Sequence, residues 1–103
     1  MEFLTLQMIK QQCRVTFDYD NDLLTGYGNA AEQTIANYLH RGKKVTDMID
    51  SLRDEYGAIP DDIYTAALML VTNWYNHSTP VKNVQMNVVP YTFEFIIKQY
   101  IIL

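Results

Sequence analysis

The sequence predicts an all-α fold: a small bundle of four to five helices joined by short loops. Three observations carry that reading. Apolar residues recur at three- and four-residue spacing in separate segments, as helices with one buried face require. Residues suited to helix starts (Thr5, Asp20, Thr46, Pro60) and a glycine stop (Gly57) bracket several of those segments. The length of 103 residues fits a single domain, 1–103, whose one modest core removes roughly 60–65% of the unfolded chain's surface from water.

The first helix covers about 6–13, with Thr5 as N-cap and Leu6, Ile9 and Cys13 on one face. Before the second stands "VTFDYDNDLL", with aspartates at alternate positions 18, 20 and 22. A calcium loop of the EF-hand type also needs glycine at its sixth position and glutamate at its twelfth; Leu23 and Asn29 stand there instead. The aspartates therefore start a helix. Asp20 is placed to cap it, and Asp22 lies in the first turn against the positive end of the dipole.

That second helix is expected over about 21–40, with Leu23, Leu24, Tyr27, Ala30, Ala31, Ile35, Tyr38 and Leu39 as its core stripe. Gly26 and Gly28 inside it each weaken it by up to ~1 kcal/mol relative to alanine; they fit either a close approach or a kink. "HRGKK" (40–44) reads as its cationic C-terminus followed by a glycine stop.

A third helix is expected over about 47–56, capped by Thr46 and closed by Gly57, with Val45, Met48, Ile49, Leu52 and Tyr56 along one edge. "AIPDDI" announces a fourth over about 60–76. Pro60 suits the first helical position, and Asp61 beside it faces the dipole's positive end. Ile63, Ala66, Ala67, Leu70, Val71 and Trp74 form its stripe. Residues 77–90 read as loop, with an extended portion at 84–89. The ending "YTFEFIIKQYIIL" fits a helix over 91–99 through Phe93, Ile96 or Ile97, Tyr100 and Leu103, and also fits a strand through the alternation Phe93, Phe95, Ile97; helix is preferred.

Composition narrows the function. Eight tyrosines, four phenylalanines and one tryptophan exceed what so small a core needs, and such residues concentrate at protein–protein interfaces. The apolar end, 100–103, should dock on something in this subunit or the next. Candidate contact residues are Trp74, Tyr75, Phe95, Tyr100, Ile101 and Ile102, a set of aromatics and aliphatics that exceeds what the helical stripes need. The net charge of −4 and helices without a Lys- or Arg-bearing reading face argue against sequence-specific DNA binding. A single cysteine, Cys13, allows no internal disulfide. No signal peptide opens the chain, and no apolar run is long enough to span a bilayer. A soluble protein from a reducing compartment is expected. His40 and His77 form no metal pattern, "GYGNAA" lacks the lysine and hydroxyl of a phosphate loop, and no nucleophile has a base partner. The residues imply no cofactor, no metal and no catalytic set.

Three blocks in order give a more specific expectation. "LTLQMIKQQCRVTFDYDNDLLTGYGNAAEQTIANYL" resembles the opening of the phage head–tail connector family, the DNA-packaging adaptors of long-tailed phages. The match runs through Lys10 and Arg14, the aspartates, Leu23, Leu24, Tyr27, Ala30 and Ala31. "IPDDIYTAALMLVTNWYNH" and "VVPYTFEFIIKQY" resemble that family's proline-initiated helix and closing segment. Departures fall at Cys13, at His77–Ser78, at Ile101 and in a longer third helix. The resemblance implies a non-enzymatic virion subunit at the head–tail junction, made in the host cytoplasm. It would assemble as a ring below the portal and extend the channel through which double-stranded DNA passes. It would also dock head-closure or tail proteins. The rival reading is a small helical protein-binding module encoded by a prophage.

Overall fold

The computed structural model describes residues 1–76 and 91–101, the side chains of Tyr91, Thr92 and Glu94 excepted. The loop expected at 77–90, its extended portion, Ile102 and Leu103 lie outside the described residues. The chain is all-α: α1 Leu6–Cys13, α2 Asn21–Leu39, α3 Val45–Tyr56, α4 Asp61–Asn76 and α5 Tyr91–Ile97, the last continued by a 3₁₀ turn, Lys98–Tyr100.

Helix α1 begins where its cap dictates. The Thr5 side chain accepts from the Met8 N–H at 3.1 Å. It ends without glycine: Arg14 adopts a left-handed conformation (φ 58°), and the Val15 N–H closes onto the Lys10 carbonyl at 2.9 Å, tucking Val15 into the core.

Helix α2 is the axis of the bundle. It buries Leu24, Gly28, Ala31, Glu32, Ile35, Ala36 and Leu39. The expected stripe is rotated slightly, since Leu23 and Ala30 face outward and Tyr27 and Tyr38 are half-buried. Asp20 holds the N-cap position, but its carboxylate makes no bond to the helix N–H groups. It accepts instead from the Tyr75 hydroxyl at 2.7 Å. The expected side-chain cap gives way to a tether between the start of α2 and the end of α4. At the other end, His40 takes the left-handed position (φ 56°) that was expected of a glycine, and Gly42 follows with φ 131°. A Cβ on Gly42 would also meet Asp47.

Helix α3 starts earlier than the Thr46 cap implies. Lys44 is the N-cap, because the Asp47 carboxylate accepts the Lys44 N–H at 3.3 Å while the Lys44 carbonyl accepts from Met48 at 3.2 Å. The earlier start, by two residues, lets Val45 pack on the core. Gly57, at φ 83°, closes the helix as expected. Helix α4 begins at Asp61, one residue after Pro60, whose carbonyl accepts the Ile63 N–H at 3.0 Å. Its stripe of Ile63, Ala66, Ala67, Leu70 and Val71 is buried. The C-terminal segment is helix, with Phe93, Ile97 and Tyr100 turned inward.

Helices α2 and α4 run antiparallel, pinned by Asp20–Tyr75 at one end. At the other end Arg41 donates to the Tyr100 carbonyl, and the Tyr100 hydroxyl donates to Asp62. Helix α1 packs across both, α3 lies on α2, and α5 lies on α4.

Candidate functional site

The three aspartates diverge. Asp18 pairs with the Lys10 ammonium at 2.7 Å, and that hydrogen bond and charge hold its carboxyl below the usual aspartate range. Asp20 faces Tyr75, whose hydroxyl is pushed above its ordinary value chiefly by that hydrogen bond. Asp22 stands exposed in the first turn of α2. Among the described residues, no group of three His, Cys, Asp or Glu is placed to hold a metal ion. A groove of about 710 Å³ runs along α1 past Lys10, Arg14 and Val15, with Lys10 committed to Asp18.

Among the described residues, two charged side chains lie where charge is costly, and neither stood out in the sequence. Glu32 is 1% exposed and accepts three backbone N–H bonds, from Glu2 at 2.7 Å, Phe3 at 2.9 Å and Leu4 at 2.8 Å. Those bonds replace its hydration and fix the N-terminal segment against α2. Its signal was present: a lone acid between Ala31 and Ile35 on an apolar face. Arg41 is 7% exposed. It donates to the Tyr100 carbonyl at 2.8 Å, to the Ser51 hydroxyl at 2.9 Å and to the Glu55 carboxylate at 3.2 Å. Its guanidinium also lies 5.8 Å from the centre of the Tyr56 ring. The Tyr56 hydroxyl first, and Arg41 second, hold the Glu55 carboxyl below its usual value. Within "HRGKK", one cation is therefore a core joint linking α2, α3 and the C-terminal turn.

The candidate contact residues fall at opposite ends of the bundle. Where α2 begins and α4 ends, Trp74 is half-buried with its ring 6.1 Å from Tyr27, and Tyr75 is tied to Asp20. At the far end Tyr100 is buried, its ring 5.4 Å from Tyr56 and nearly perpendicular to it. Burial and then the Asp62 hydrogen bond push its hydroxyl up to about 12. Ile101 packs half-buried beside it. Phe95 projects from α5 and is 73% exposed. Ile102 lies outside the described residues.

Sequence reasoning singled out the aspartates of the loop between α1 and α2 but not its aromatics. There Tyr19 is 91% exposed, flanked by the half-exposed Phe17 and Leu23. The Phe17 and Tyr19 rings lie 5.4 Å apart. Exposed aromatics gathered in this way mark contact surfaces. At the other end of α2, Thr34, Asn37, Tyr38, His40 and Ile101 line an open depression of about 520 Å³. The molecule thus offers an aromatic projection at one end and an open depression of mixed lining at the other.

The model of one protein family, described as phage gp6-like head–tail connector protein, matches residues 3–100. No curated protein and no solved structure matches the chain.

Proposed function

Because this chain belongs to the phage gp6-like head–tail connector family, a structural family, we propose that it is a virion subunit that assembles as a ring at the head–tail junction. In this reading the ring sits below the portal, extends the DNA channel and docks the next head-closure or tail protein. The observation that carries it is a family match spanning nearly the whole chain, on an all-α fold.

The surface supports the same reading. A ring closed by rotation needs two different, complementary patches on each subunit. The contact candidates divide between two ends: Tyr19 and its neighbours where α2 begins, and Ile101 and Tyr38 where it closes. Phe95, exposed on α5, is a separate projection suited to the portal or the next protein in the stack. Trp74 and Tyr75 support the first end from behind, and Tyr100 supports the second. The net charge of −4 suits a channel wall over which a polyanion slides without being gripped. No helix of the described residues is long and apolar enough to cross a membrane.

The test is complementation. A phage unable to make this chain should accumulate DNA-filled heads without tails, and supplying the chain in trans should restore joined particles. Normal joining in its absence would refute the connector role and favour a protein-binding module.

A further inference from the structure

We draw no further inference here: the strongest candidate, the groove of about 710 Å³ that runs along α1 past Lys10, Arg14 and Val15, carries nothing because Asp18 already answers Lys10 within it and nothing in the structure shows what covers it.

Discussion

At the scale of single residues, the structure depends on polar side chains buried with their partners. Glu32 is the sharpest case, since removing its carboxylate leaves the N–H groups of Glu2, Phe3 and Leu4 without an acceptor. Glu32→Ala should cost about 3 kcal/mol in urea unfolding, with faster amide exchange at residues 2–4. A loss under about 1 kcal/mol would show that water replaces the carboxylate. Arg41→Ala should cost a similar ~2–4 kcal/mol, mainly by orphaning the Tyr100 carbonyl, because Glu55 is half-exposed and its pairing is screened. Tyr100 gives the fold a pH dependence. Its hydroxyl is raised from 10.0 to about 12, so its contribution is complete below about pH 10. The contribution is lost as pH climbs through about 12, when a phenolate would form beside Asp62. Tyr100→Phe should flatten stability between pH 10 and 12, and an unchanged slope would contradict the assignment. None of these roles was legible in the sequence, because burial of a charge depends on which elements meet it. Only Glu32, an acid on an apolar face, left a trace.

At the scale of elements, sequence and structure agree closely, for reasons that are local. Thr5 and the face it opens place α1, and the alanine- and leucine-rich stripe places α4. Gly57 ends α3 because only glycine holds φ 83° without strain. Differences arise where a tertiary partner outbids a local one: Tyr75 draws the Asp20 carboxylate from its cap, and Asp47 starts α3 at Val45. Left-handed Arg14 and His40 carried no glycine to announce them. The paired glycines of α2 separate cleanly. A Cβ at Gly26 meets nothing within 4 Å, whereas at Gly28 it meets the Met1 sulfur and lies 2.8 Å from Ile9 Cδ1. Gly26→Ala should therefore stabilise the protein by about 0.5–1 kcal/mol through helix propensity. Gly28→Ala should destabilise it by about 1 kcal/mol or more, because Ile9 is fully buried and yields only with repacking. Thermal unfolding of the two variants checks the opposite signs; a shared sign would refute the close approach at Gly28.

At the scale of the whole molecule, the bundle has unlike ends with a hydrogen-bonded tether at each. The Asp20–Tyr75 bond fixes one end, and the Arg41–Tyr100–Asp62 chain fixes the other. The contact candidates read from composition could not be divided between ends without the antiparallel pairing of α2 and α4. Phe17 and Tyr19 carried no signal of their own, because they alternate with aspartates that a helix start explains. The account's central claim is that these two ends exist to meet other protein chains. The most direct measurement is the native mass of the complex formed with purified portal. The account predicts a discrete assembly containing many copies of the chain in fixed ratio to portal. A chain that stays monomeric and unbound at saturating portal would contradict it.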